Sequence, residues 1–416
     1  MRIHGSLDPT FWELARTLAT QVARRRAGGA AICVYHRGRK VVDIWAGVRD
    51  AEGRPWQEDT LALSFSTTKG VLATLVHVLA DRGLLDYDAP VAAYWPEFAQ
   101  AGKERITVRE LLTHRAGLAP IRTLIDRAER MLDWEHMTRV LAAAPAGAHA
   151  QAPAYHALTF GWLVGELVQR VGGRPLGELL ASELVRPLGL DGLYIGAPAS
   201  VDHRVAMLTR PRRVPGLAHV IESRPLTVIW SAVLQVLRVP LDPLLSLDAL
   251  LPPERPDVFW SPDAHRTPIP AANGLFTARS LARMYAMLAE GGSLDGARIL
   301  STETIRHATA VQTTERDRVL VFPMHWRLGY HSAFTTRGRL ASGFGHFGYG
   351  GSGAWACPER RLAVAMVTNE VFGGPLGDFR IAEIGSGALR AARRAAAGQP
   401  EPEPLVPAIR VVQAAQ

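Results

Sequence analysis

AAICVYHRGRKVVDIWAG, residues 30–47, consists of two β-rich runs broken at Arg37-Gly38-Arg39. β-branched and aromatic residues dominate both runs, and a short glycine-containing break between such runs reads as a hairpin. Near the other end, GAWACPERRLAVAMVTNE, residues 353–370, repeats the pattern around Glu359-Arg360. Between the two hairpins the periodicity is mostly helical. Strands segregated at both ends, with helices between, imply an α+β fold rather than an alternating α/β one. The expected architecture is one antiparallel sheet built from both termini and flanked by helices, plus a mostly helical domain. Residues 1–65 and 270–416 are assigned to the sheet domain and 66–269 to the helical one, with 200–268 as a possible substrate cap.

Local signals place the helices. Phe11, Leu14, Leu18 and Val22 recur at helical spacing, which predicts an amphipathic helix over 11–26. Ser66 opens STTKGVLATLVHVLADRG, with Gly83 as its C-terminal stop. Thr107 and Glu110 form a capping-box pair ahead of a short helix. Thr277 caps ARSLARMYAMLAEGG, and a last helix is expected over 377–396, followed by an extended tail from Pro400.

The chain has 416 residues, of which 48% are hydrophobic and 21% charged, which excludes collagen-like and low-complexity classes. Two cysteines, Cys33 and Cys357, are too few for a disulfide scaffold or a cysteine-based zinc site, and both read as buried apolar residues. The apolar run Leu226 to Leu237 is too short to span a bilayer. The N-terminal sequence lacks a charged-then-apolar signal, so the cytoplasm is the expected compartment. A net charge of +8 raises the question of nucleic acid. The arginine clusters at 24–26, 210–213 and 390–394 are short, distant and free of interleaved aromatics, so no nucleic-acid partner is expected. No metal or cofactor motif is found, and none is expected to be needed.

Lysine usage is more informative. Only Lys40, Lys69 and Lys103 occur among 47 basic residues, the other 44 being arginine. Such a bias most simply reflects codon usage, so a retained lysine is a candidate for a place where arginine cannot serve. One such place is proton transfer, because lysine can be deprotonated in a protein and arginine cannot.

Lys69 lies three residues after Ser66 on a predicted helix, so both side chains share one face. A serine hydroxyl needs a nearby base to act as nucleophile, and a helix N-terminus favours an oxyanion formed there. The alternative is that Ser66 is only a cap and Lys69 a solvated cation. Acyl transfer also needs a second proton-transfer group and oxyanion donors. Gly345 to Gly353, containing His346, Gly348 and Tyr349, is dense enough in glycine for backbone to approach a ligand closely. Tyr155 sits in a loop before LTFGWLVGELVQRVGG, where packing is the ordinary role. His114 and His156 read as hydrogen-bonded loop residues. Asn273-Gly274 reads as a turn near the cleft.

As a set, Ser66-Thr67-Thr68-Lys69, then Thr113 to Leu118, Tyr155 ahead of Gly161-Trp162-Leu163, and His346-Phe347-Gly348 resemble the serine β-lactamase-like hydrolases. The branch most similar is the family VIII carboxylesterases, relatives of class C β-lactamases and D,D-peptidases. The resemblance spans about residues 10–390. It implies Ser66 as the acylated nucleophile, Lys69 and Tyr155 as proton-transfer groups, and His346-Phe347-Gly348 in place of a K-T-G triad. It also implies the N–H groups of Ser66 and Tyr349 as oxyanion donors. Two departures stand out: Tyr155-His156-Ala157 lacks the asparagine of Y-x-N, and His346 replaces a lysine. Both suit neutral small-molecule esters better than carboxylate-bearing lactams or peptides. The absence of any G-x-S-x-G counts against an α/β-hydrolase nucleophile turn. The competing expectations are a β-lactamase or D,D-peptidase, and a catalytically silent binding protein.

Residues 200–268 carry least motif content. Their apolar residues, Trp230 among them, either pack the helical region or line a cap that receives the acyl chain. The same stretch is where any weak contact with a lipid or membrane surface would fall.

Overall fold

The computed structural model describes residues 2–24, 28–148, 150–209, 228, 231, 242–253, 256–371, 378, 380–398 and 410–412. Nearly half of the expected cap, including Trp230, lies outside the described residues. The principal elements in chain order are β1 (Arg2–Leu7), α1 (Trp12–Ala23), β2 (Gly29–His36), β3 (Arg39–Gly47), α2 (Thr67–Asp81), α3 (Val108–Leu112), α4 (Trp134–Ala143) and α5 (Thr159–Gly172). They continue with α6 (Pro243–Leu250), α7 (Ala278–Ala289), β4 (His331–Thr335), β5 (Gly338–Phe347), β6 (Gly353–Cys357), β7 (Leu362–Thr368), α8 (Arg380–Ala397) and β8 (Arg410–Val412).

Eight strands form one sheet in the order β8-β1-β3-β2-β7-β6-β5-β4. Every pairing is antiparallel except β1 with β8. The sheet therefore draws on both ends of the chain, and β2 meets β7 at its centre, with His36 opposite Leu362 and Ala30 opposite Thr368. Both predicted hairpins are present. The first turns through Arg37 and Gly38, both with positive φ, as a two-residue primed turn requires.

β2 is apolar without alternation because both of its faces are covered. Ala30, Ile32 and Val34 pack with Leu14 and Leu18 of α1 and Ile384 and Ala388 of α8. Ala31, Cys33 and Tyr35 join the larger core that holds α2, α5 and α7. In β6 and β7 four of the five residues facing that larger core are alanines, Ala354, Ala356, Ala363 and Ala365, with Val367 the fifth, a set small enough for α7 to lie close on the sheet.

α2 is buried from Thr67 to Leu79, and it carries the Ser-Lys pair through the middle of the larger core. The capping box forms as read: Glu110 N–H donates to Thr107 Oγ1 at 3.1 Å, and Thr107 N–H donates to Glu110 Oε2 at 2.8 Å. Thr277 Oγ1 accepts from Ser280 N–H at 3.2 Å. Cys33 and Cys357 are buried and unbridged. Helix ends differ by a few residues from expectation, and β1 and β4 carry no strand signal strong enough to be read. Among the described residues no helix is long and apolar enough to cross a membrane.

Candidate active site

Ser66 stands at the N-cap of α2 with φ −64° and ψ −8°, and its hydroxyl makes no capping bond. Phe65 before it has φ +44°, a left-handed backbone that a bulky residue rarely adopts. The bend is held from both sides: Ser64 N–H donates to Gly274 O at 2.9 Å, and Thr68 Oγ1 donates to Phe65 O at 2.6 Å. The sequence STTK thus enters its helix through a strained turn that leaves the Ser66 hydroxyl available to other partners.

Lys69 is one of those partners. Its Nζ lies 3.1 Å from Ser66 Oγ, 2.6 Å from Ala157 O and 3.0 Å from Ala271 O. The side chain is fully buried, and among the described residues no carboxylate contacts it. Desolvation pushes its pKa well below the ordinary value, which favours the neutral amine. A neutral amine has two N–H groups and one lone pair. The two carbonyls take the former, and the lone pair is left for the Ser66 hydroxyl.

Tyr155 donates its hydroxyl to Ser66 Oγ at 2.7 Å. Burial raises the pKa of this phenol, so it stays protonated. Lys69 Nζ sits 4.9 Å from the centre of the tyrosine ring. Behind that ring, Trp326 stacks at 5.5 Å and 12°, and His114 packs edge-on at 5.0 Å. The three residues expected to carry chemistry therefore converge on one oxygen atom.

The β5–β6 turn closes the other side. A Cβ on Gly348 would lie 2.3 Å from Ser64 O, so only glycine lets this turn seat against the residues that lead into Ser66. Gly348 N–H donates to Ser352 O at 2.7 Å, and Arg380 Nη2 at the start of α8 donates to Gly350 O at 2.8 Å. Tyr349 lies between these anchors, part-exposed, its ring edge-on to Phe65 at 5.7 Å.

Residues 14–388 match the Beta-lactamase family. The chain belongs to that family. It is a serine hydrolase. Among its relatives is the esterase/beta-lactamase LipL of Mycobacterium tuberculosis, 41% identical over 374 residues that span 89% of this chain and 83% of that protein. A crystal structure of a family VIII carboxylesterase superposes with a TM-score of 0.80 at 33% identity, covering 94% of this chain and all of the other. A penicillin-binding protein homologue from Caulobacter crescentus gives a TM-score of 0.77 at 34% identity over 93% of this chain.

Within this family member, His346 occupies the end of β5 as a buried, uncharged imidazole. Desolvation, with His331 and Lys69 nearby, pushes its pKa well down, so no cation stands at this position. His114 and His156 take the structural places expected of them. His156 Nε2 accepts from Leu118 N–H at 3.0 Å while Nδ1 faces Ala154 O at 2.7 Å. His114 Nδ1 accepts from His156 N–H at 3.2 Å. Neither bonds to Ser66. Asn273 braces the 264–274 loop through Ile269 N–H at 2.8 Å and the carbonyls of Ala264 and Thr267 at 2.5 and 2.6 Å, so that Ala271 O reaches Lys69. Sequence reading missed the two carbonyls on Lys69, the Arg380 clamp, and Trp326 with Asp317 behind Tyr155. Only Asn273, a turn signal at the right place, pointed toward any of them.

Proposed function

We propose that this chain hydrolyses small to medium acyl esters through an acyl-enzyme on Ser66. The observation that carries the reading is the Lys69 amine, buried without a carboxylate, with two carbonyls on its N–H groups and the Ser66 hydroxyl on its third side. Lys69 takes the Ser66 proton as Oγ attacks the ester carbonyl. The resulting oxyanion is met by the N–H groups of Ser66 and Tyr349. Tyr155 gives its phenolic proton to the departing alkoxide and recovers one from the Lys69 ammonium, which restores the resting charge state. Water then enters and the same groups run the sequence in reverse to release the acid. No metal or cofactor enters this scheme.

Esters are favoured over carboxylate-bearing lactams because His346 is neutral and Ala157 offers no side-chain amide. The names of the relatives, an esterase/beta-lactamase and a family VIII carboxylesterase, support the same class and keep lactam hydrolysis as the second reading.

Ser66→Ala tests the assignment. The hydroxyl caps nothing, so the fold should survive while p-nitrophenyl ester turnover falls at least about a hundredfold and fluorophosphonate labelling disappears. Retained labelling would move the nucleophile elsewhere. Turnover of nitrocefin faster than of p-nitrophenyl butyrate would favour the lactamase reading.

A further inference from the structure

Asp317 belongs to no motif, and its carboxylate is fully buried with no cation against it among the described residues. Uncompensated buried charge is costly, and an apolar residue would fill the same volume with less penalty. What surrounds the carboxylate indicates its use. Oδ1 accepts from Tyr155 N–H at 3.2 Å, Val319 N–H at 2.9 Å and Leu320 N–H at 2.8 Å. Oδ2 accepts from the Trp326 indole N–H at 3.0 Å. Arg318 N–H donates to Pro153 O at 2.8 Å, tying the same turn to the residue two before Tyr155.

We propose that Asp317 is a positioning residue for Tyr155, gripping both the tyrosine backbone and the tryptophan that lies flat on its ring. The proposal rests on the reading of Tyr155 as the proton donor. Tyr155 lies 162 residues before Asp317, and it meets the stretch from Asp317 to Trp326 at this one carboxylate. The Tyr155 hydroxyl takes no part in these contacts, being committed to Ser66. The phenol is therefore aimed by its backbone and its stacking face, and Asp317 holds both. Displacing a reacting group by a fraction of an ångström costs rate without necessarily costing substrate affinity.

The charge acts in the same direction. Burial is the main cause of the raised phenol pKa, and the nearby Asp317 carboxylate raises it further, so the proton is retained until a leaving group needs it. The other titratable groups facing Tyr155 are Lys69 on α2, His114 after α3, His346 on β5 and the adjacent His156. Burial pushes all four toward their neutral forms. Asp317 is then the group whose charge bears on the phenol.

The test compares Asp317→Asn, Tyr155→Phe and the double variant on p-nitrophenyl butyrate. Asparagine keeps the shape but turns an amide N–H2 toward donors that need an acceptor. The expected result for Asp317→Asn is a kcat lowered at least about tenfold with KM within about twofold. The basic limb of its kcat profile should move to lower pH, because the phenol has lost a neighbouring negative charge. The double variant should be no slower than Tyr155→Phe alone, since residues acting through one group are not additive. Losses that multiply, or a kcat that falls only with the folded fraction while the basic limb stays in place, overturn the proposal. If Asp317→Asn does not fold, Trp326→Phe removes the indole N–H and part of the stacked ring while leaving the Asp317 charge, and the same fall in kcat with KM held is expected, with the basic limb in place. A fully active Tyr155→Phe sinks the role of Tyr155 itself. A slow Tyr155→Phe beside an unaffected Asp317→Asn sinks only the positioning role.

Discussion

Lys40 lies part-exposed, 2.7 Å from Asp43, where arginine would serve as well. The other two lysines are buried, and each amine rests on backbone carbonyls. Lys103 donates to Gln100 O at 2.7 Å, Ala142 O at 2.9 Å and Ala144 O, so three acceptors match the three N–H groups of an ammonium and satisfy the C-terminal end of α4. Lys69 has only two carbonyls, and its third direction is Ser66. Arginine fits neither place, for different reasons. Lys103→Arg should lower stability by about 2–3 kcal/mol, read as a lower Tm, with kcat per folded molecule unchanged. Lys69→Arg should cut kcat at least about a hundredfold with much of the fold intact, because a guanidinium cannot release its proton. Activity that depends on a neutral Lys69 also falls as pH drops through its depressed pKa, and this acid limb should vanish in Lys69→Arg. Near-normal turnover in that variant would remove Lys69 as base. The scarcity of lysine made Lys69 legible in the sequence, and helical spacing paired it with Ser66. The Ala157 and Ala271 carbonyls were not legible, since every residue carries a carbonyl and only the fold selects two. Asp317 was hidden in the same way, as one aspartate among many until its four donors are assembled around it.

α2 packs against α7 and β5 with no room to spare at Gly70. A Cβ there would lie 2.1 Å from Tyr285 Oη, and 3.3 Å from both Tyr285 Cζ and His346 Cβ. Helix propensity alone favours Gly70→Ala by about 1 kcal/mol. Overpacking costs about 1–3 kcal/mol and pushes on the helical turn that holds Ser66 and Lys69. Gly70→Ala should therefore lower both Tm and kcat, and Tyr285→Phe in the same chain should restore them, because removing the oxygen leaves 3.3 Å. A single Gly70→Ala variant that melts higher than the parent would show that α2 can shift freely. Elements with local causes were the readable ones. The Thr107–Glu110 box, the Thr277 cap and the Arg37-Gly38 turn are decided within four residues of sequence. β1 is different: RIHGSL contains Gly5 and only two fully buried positions, and it becomes a strand because β3 and β8 flank it. Strand formation there is a tertiary effect, which a local pattern does not record.

The whole molecule depends on its two ends meeting. α1 and α8 together cover one face of the sheet, burying Ile32, Val34, Val364 and Met366. Arg380 at the start of α8 also fastens the turn that carries Tyr349. A chain ended after Thr368 loses that cover and that anchor. It should be recovered in the insoluble fraction and take no fluorophosphonate label, and a soluble, labelled fragment would contradict this account of the fold. The same arrangement sets a schedule for biosynthesis. β2 leaves the ribosome roughly 330 residues before β7, its partner at the centre of the sheet. At about 5–20 residues per second, a strand apolar on both faces waits roughly 20–60 s with one edge unpaired. During that interval the nascent chain has the character of a chaperone client, and slowing translation lengthens the exposure in direct proportion.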